Sequence, residues 1–237
     1  MKKAMFFNTG ALAVMSAASI AAADGSATKI RVGFQGTYAR LTGEMSSYAP
    51  DGQLYSNNAP SGLGGAAFLE FALSDKTGVR ARIEHLSFGE SKSTDLIFWL
   101  GGIGGTKHER GYWAKPTITS LAGDWIYRHK SHDSGFFFTA GGGLINSKMD
   151  IKEFLAEDGD IVGTVNWNTK SSISVGLLAG LGYNFNKNIG IEAKFTRTFG
   201  SSVEEPQTVI SGDIAERKLV DRNIDWSWIN LSISYRF

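Results

Sequence analysis

The chain has 237 residues, with 24 basic and 23 acidic side chains, a formal net charge of +1 and no cysteine. A near-neutral balance excludes the strongly basic surface that nucleic-acid binding requires, and the lack of cysteine excludes a disulfide-stapled secreted domain. Beyond residue 23 no run of eighteen apolar residues occurs, so no transmembrane helix is expected there.

The first element in chain order is "MKKAMFFNTGALAVMSAASIAAADG". Lys2 and Lys3 precede an apolar stretch from Ala4 to about Ile20, and Ala21 and Ala23 form an A-x-A arrangement before Asp24. That is the three-part layout of a secretory signal peptide. A membrane anchor is the competing reading, disfavoured by the short, alanine-rich stretch. Residues 1–23 are therefore expected to be removed, leaving 24–237 as one domain.

Eight segments then alternate apolar and polar residues with the period of two that marks a strand. Ile30, Val32, Phe34 and Tyr38 oppose Arg31, Gln35 and Thr37. Leu63, Ala67, Leu69, Phe71 and Leu73 oppose Phe68, Glu70 and Ser74, and Val79, Ala81 and Ile83 oppose Arg80, Arg82 and Glu84. Thr117, Leu121, Trp125 and Tyr127 oppose Ser120, Asp124 and Arg128, and Phe136, Phe138, Ala140 and Leu144 oppose Thr139, Gly141 and Gly143. A long row from Ile173 to Phe185 opposes Ser174, Gly176, Gly180, Gly182 and Asn184. Ile189, Ile191, Ala193 and Phe195 oppose Glu192, Lys194 and Thr196, and the closing "LSISYRF" sets Leu231, Ile233, Tyr235 and Phe237 against Ser232, Ser234 and Arg236.

Short links ("SDKTG", "HKSHDSG", "NKN") alternate with long ones at about 43–60, 89–115, 147–170 and 200–222. Short periplasmic turns, long outer loops and an even strand number describe an all-β, eight-stranded antiparallel up-and-down transmembrane β-barrel. The aromatics agree: Phe71, Trp125, Tyr127, Phe136, Phe138, Tyr183, Phe185, Tyr235 and Phe237 share the outward phase beside the short turns, where an interfacial girdle belongs. The alternative, a soluble barrel or sandwich with these aromatics in its core, gives no reason for them to gather beside alternate turns. The apolar "DLIFWLGGIGG" at 95–105 interrupts the second long loop. It extends strands three and four, folds over the mouth, or forms a further hairpin that would give ten strands.

An eight-stranded barrel has an interior just wide enough for side chains. Its inward phase carries Glu70, Glu84, Asp124 and Glu192 against Arg80, Arg82, Arg128, Lys194 and Arg236. Buried charges must pair, so a plug of salt bridges with trapped water is expected, the alternative being a narrow ion path. The inward glycines Gly141, Gly143, Gly176, Gly180 and Gly182 are expected to make room for charged side chains opposite.

The ending "YRF" resembles that of the Ail/OmpX group. The stretches "FFFTAGGGLINSK" and "ISVGLLAGLGYNFNKNIGIEAKFTRTF" resemble strands of the OmpA-like small outer-membrane barrels, across most of 29–237. The resemblance implies a bacterial outer membrane, a C-terminal assembly signal at Tyr235 and Phe237, and barrel assembly machinery and periplasmic chaperones as partners. A monomer is expected, and no following peptidoglycan-binding domain, since the sequence stops at the eighth strand. Three outward cations, Arg40, Lys115 and Arg197, fall near the outer edge of the apolar band. At about 3.3 Å per residue and a tilt near 40°, Arg40 rises roughly 25 Å above Ile30. They suit contact with lipopolysaccharide phosphates, with snorkelling toward water as the alternative.

Candidate chemistry is sparse. His85 and Ser87 share the outward phase with Glu90 nearby, the residue types of barrel lipid A deacylases, but the pair lies far from the chain's end and lacks those enzymes' asparagine context. "AEDGD" at 156–160 lacks the carboxylate spacing of an EF-hand, His129 and His132 are a weak metal pair, and "GGIGG" at 101–105 has no strand–helix context for phosphate. Neither a catalytic site, a metal nor a cofactor is expected. The leading expectation is a non-enzymatic outer-membrane barrel serving envelope integrity or surface interaction through its outer loops. A small-solute or hydrophobic-compound channel of the OmpW kind is second, and a lipid A-modifying enzyme third.

Overall fold

The computed structural model describes residues 30–43, 60–100, 106–129, 134–211 and 214–237. The signal-peptide expectation, His132 and the glycine run 101–105 lie outside these residues.

Among the described residues alternation becomes twelve strands, all antiparallel to their neighbours. They are β1 (Ile30–Thr42), β2 (Ser61–Ala72), β3 (Thr77–Phe88), β4 (Ser91–Leu100), β5 (Thr106–Arg128), β6 (Gly135–Glu157), β7 (Asp160–Trp167), β8 (Ser172–Asn184), β9 (Ile189–Phe199), β10 (Ser202–Ser211), β11 (Ile214–Asn223) and β12 (Ser227–Arg236). Eight of them close a ring in the order β1, β2, β3, β5, β6, β8, β9, β12. The closing seam pairs β1 with β12 from Gly33 opposite Arg236 to Thr42 opposite Ser227. The chain end is tied in as well, since Phe237 N donates to Val32 O at 2.9 Å.

The remaining four strands explain the long links. β4 pairs with the upper part of β5, β7 with the upper part of β6, and β10 with β11. The ring therefore has eight strands, not ten. Residues 95–100 belong to β4, which continues β3 above the ring and reaches only β5. β3 pairs with Thr117–Tyr127 of β5; those eleven residues, tilted near 40°, rise roughly 28 Å, about the thickness of a hydrocarbon core. Above that level β5 and β6 keep pairing as far as His108 opposite Glu157. Three of the four expected loops are thus β-hairpins that form a crown on the barrel, and the fourth, 44–59, lies outside the described residues.

Two local conformations shape the crown. Asp158 and Gly159 both have positive φ, 49° and 92°, and join Glu157 to Asp160. This is the primed two-residue turn whose twist suits a hairpin, so "AEDGD" is a turn sequence. Gly200, with φ 71°, lets the chain bend out of β9 into β10.

Candidate functional site

The outer face is apolar in one belt. Phe34, Leu63, Leu121, Leu144, Ile173, Leu177, Ile229 and Leu231 are all exposed on ring strands. At the short-turn end the aromatics form a girdle whose rings touch across and along strands. Phe136 meets Tyr183 at 5.0 Å, Tyr183 meets Phe185 at 5.4 Å, Tyr235 meets Phe237 at 5.1 Å, and Phe34 meets Phe237 at 6.1 Å.

Inside, the lumen has two layers. All nine charged residues expected there, Glu70, Arg80, Arg82, Glu84, Asp124, Arg128, Glu192, Lys194 and Arg236, are buried, from the short-turn end up to Glu84, which stands opposite Ser120. Glu192 is the hub. It accepts from Arg80 Nη2 at 2.9 Å, Thr139 Oγ1 at 2.7 Å and Gln35 Nε2 at 3.2 Å. Arg80 also donates to Asp124, from Nε at 2.9 Å and Nη2 at 2.7 Å, and Arg82 lies 3.2 Å from the same carboxylate. Lys194 is 3.6 Å from Glu84, which also accepts from Asn230 at 3.1 Å. Arg128 is bonded to Glu70, and Arg236 to Asn184.

The outer half of the lumen is apolar, which the expectation of a charged plug did not foresee. Leu41, Leu86, Phe88, Ile118, Ile145, Met149, Trp226 and Trp228 form one packed cluster, with both tryptophans at most 1% exposed. The signal was present in the same phase as the charges. Leu86 and Phe88 continue the inward row of Arg80, Arg82 and Glu84, and Trp226 and Trp228 precede Asn230 and Ser232 in theirs. The glycine expectation is corrected too. Of those five, only Gly180 would meet a charged side chain, its Cβ falling 3.1 Å from Glu192 Oε1. Gly182 leaves room for the Phe137 ring, Gly176 for Ile145, and Gly141 and Gly143 allow the β5 backbone to come close.

Above the plug, the β10–β11 hairpin is tied to the opposite wall. Arg217 Nη2 donates to Tyr112 Oη at 2.5 Å and to Glu153 Oε1 at 3.0 Å. Trp167 Nε1 donates to Glu153 Oε2 at 2.8 Å, and Arg110 Nε is 3.0 Å from Glu153. Burial works against the Arg217 charge, but Tyr112 and Glu153 outweigh it and raise its pKa. A second tie joins Glu204 to Lys170, 2.9 Å from Nζ and 2.6 Å from the backbone N–H. Burial alone would push the Glu204 carboxyl up; the two bonds from Lys170 and the ammonium charge hold it below the usual range.

The three outward cations do not converge. Arg40 and Arg197 flank β12, Arg40 opposite Ile229 and Arg197 opposite Ser227. Arg197 is 3.7 Å from Asp225 and lies over the Phe199 ring at 5.6 Å, while its side chain stays about half exposed. Lys115 stands on β5, exposed, beside a groove lined by Tyr38, Leu63, Ser87 and Glu90. His85 Nδ1 shares a 2.9 Å hydrogen bond with Thr119 Oγ1. Among the described residues no group of three or more His, Cys, Asp or Glu could hold a metal ion.

A closed eight-stranded ring with an apolar belt, an aromatic girdle at one edge and a charged lumen is a small transmembrane β-barrel. No protein-family model matches the chain, and no curated relative does. Solved structures match in fold. The outer membrane protein OprG from Pseudomonas aeruginosa is 13% identical, with 89% of this chain and 97% of that one covered at a TM-score of 0.51. Ail, the attachment invasion locus protein of Yersinia pestis, is 15% identical, covering 88% and 97%, TM-score 0.43. The N-terminal barrel of Pseudomonas aeruginosa OprF is 13% identical, covering 89% and 99%, TM-score 0.44. The chain has the fold of a small outer-membrane β-barrel.

Proposed function

We propose that the chain is a non-enzymatic, non-conducting barrel of the outer membrane that acts through its crown, in envelope integrity or surface contact. One observation carries this reading: the lumen is filled in both halves, by paired charges and then by an apolar plug. Two cavities within it, one at the short-turn end and one where Arg82 and Glu84 meet Ile145 and Trp228, measure about 10 Å³ each, room for about one water each. An ion path needs a continuous wet column, and that packing does not support one. The hydrogen bond of His85 Nδ1 to Thr119 Oγ1 ties that ring to a neighbouring strand and lends no support to the enzyme reading. On this reading residues 1–23 direct export and the barrel is a monomer. The purified barrel added to a planar bilayer at 100-fold excess over a trimeric porin control gives no unitary current steps; reproducible steps would refute the closed lumen.

The outward cations suggest the lipid partner. Arg40, Lys115 and Arg197 stand where the apolar belt ends, and arginine binds phosphate bidentately. Lipopolysaccharide added to the detergent-purified barrel raises its melting temperature, and changing Arg40 and Arg197 together to Gln removes most of that gain. An undiminished gain in the double variant would mean these side chains merely snorkel.

A further inference from the structure

The lumen charges divide unevenly along its axis. In the middle layer Arg80, Arg82 and Lys194 face Glu84, Asp124 and Glu192, three bases to three acids. At the short-turn end Arg128 and Arg236 share one carboxylate, Glu70, with Arg31 opposite Glu70 in the β1–β2 register. The excess is positive and local.

A cavity lies there. Glu70, Arg80, Arg128, Asn184, Ser234 and Arg236 contribute its polar wall, and Glu70 is the one carboxylate among the lining residues. Arg80 is already neutralised by Asp124 and Glu192. Arg128 and Arg236 are only 1% and 4% exposed. Arg128 Nε and Nη1, Arg236 Nε and Asn184 Nδ2 are buried donors with no hydrogen-bond partner among the described residues. Those four nitrogens carry six N–H groups, and unmet donors beside surplus charge on residues lining one cavity are costly. A water accepts two hydrogen bonds and carries no charge, so it meets only part of the demand. A monoatomic anion accepts from every side and supplies the charge as well. The cavity, about 10 Å³, takes about one water-sized particle, which excludes phosphate, sulfate and carboxylates.

We propose that the short-turn end of the lumen is a halide site, with chloride held between Arg128, Arg236 and Asn184. The ion serves as the missing carboxylate of that layer, and the barrel's stability is linked to its concentration.

Two measurements on the full barrel test this. Crystals of the unaltered protein grown in bromide should show an anomalous peak within hydrogen-bonding reach of Arg128, Arg236 and Asn184. In detergent, replacing gluconate by chloride at constant ionic strength should raise the melting temperature saturably, by about 2–4 °C. Arg128→Gln and Arg236→Gln should each abolish that increment. Glu70→Gln, which removes the competing carboxylate, should enlarge it. No bromide peak in the cavity, a peak without any chloride-dependent melting (binding at crystal concentration only), or an equal increment in the arginine variants would each overturn the proposal. The diffraction test stands even where a variant fails to fold.

Discussion

Changing Glu192 to Ala lowers the melting temperature of the barrel by roughly 6–20 °C, the range expected when removing one partner of a buried ion pair costs about 3–5 kcal/mol. Glu192 is 2% exposed and accepts from three side chains on three other strands, Arg80 on β3, Thr139 on β6 and Gln35 on β1. Its loss leaves Arg80 with Asp124 alone, which Arg82 also approaches at 3.2 Å. Two guanidinium groups then share one carboxylate in a site that water hardly reaches, and Thr139 and Gln35 lose their acceptor. Asp150→Ala is the matched control. It breaks an ion pair to Lys148 of 2.6 Å, shorter than any to Glu192, but Asp150 is mostly exposed. Such pairs contribute about 0–1 kcal/mol, so this variant melts within a few degrees of the parent. Equal melting of the two variants would mean that the lumen charges are solvated and that Glu192 is not a structural hub.

The contrast between those carboxylates shows what alternation can and cannot disclose. A period of two assigns each residue to a face, and that was enough to place all nine lumen charges inside the ring. It does not fix register, so nothing in the spacing says that Glu192 meets Arg80 from a strand 112 residues away. The same limit hides the Arg217–Glu153 tie, which joins β11 to β6 across the mouth. Other features were legible and overlooked. Asp158–Gly159 is a hairpin signal, and it predicts that residues 147–170 are strand and not loop. Leu86, Phe88, Trp226 and Trp228 follow the inward phase into the outer half of the lumen, so the change from charged to apolar filling is written in those rows. The crown itself was obscured because long links in such barrels are read as loops, whereas here β5 and β6 run on for 23 residues each.

The second large effect concerns assembly and not stability. Changing Phe237 to Ala cuts the amount of barrel reaching the outer membrane several-fold, while changing Phe34 to Ala leaves it near the parent's. Both rings face lipid, at 70% and 50% exposure, and they touch each other edge to face at 6.1 Å. Their contributions to the finished barrel are therefore similar: each removes a comparable apolar area from water, on the order of 2 kcal/mol. Alanine at 237 keeps the backbone N–H that donates to Val32 O at 2.9 Å, so the seam between β1 and β12 is not cut, as it would be by deletion. What separates the two positions is that Phe237 and Tyr235 end the closing strand, where a chain entering the membrane is proposed to be recognised by the assembly machinery. The fraction that does insert should melt alike in both variants, because the lost contacts are alike. Equal outer-membrane yields would show that Phe237 is one more girdle aromatic, and a yield that falls in step with melting temperature in both would assign the defect to stability and not to recognition.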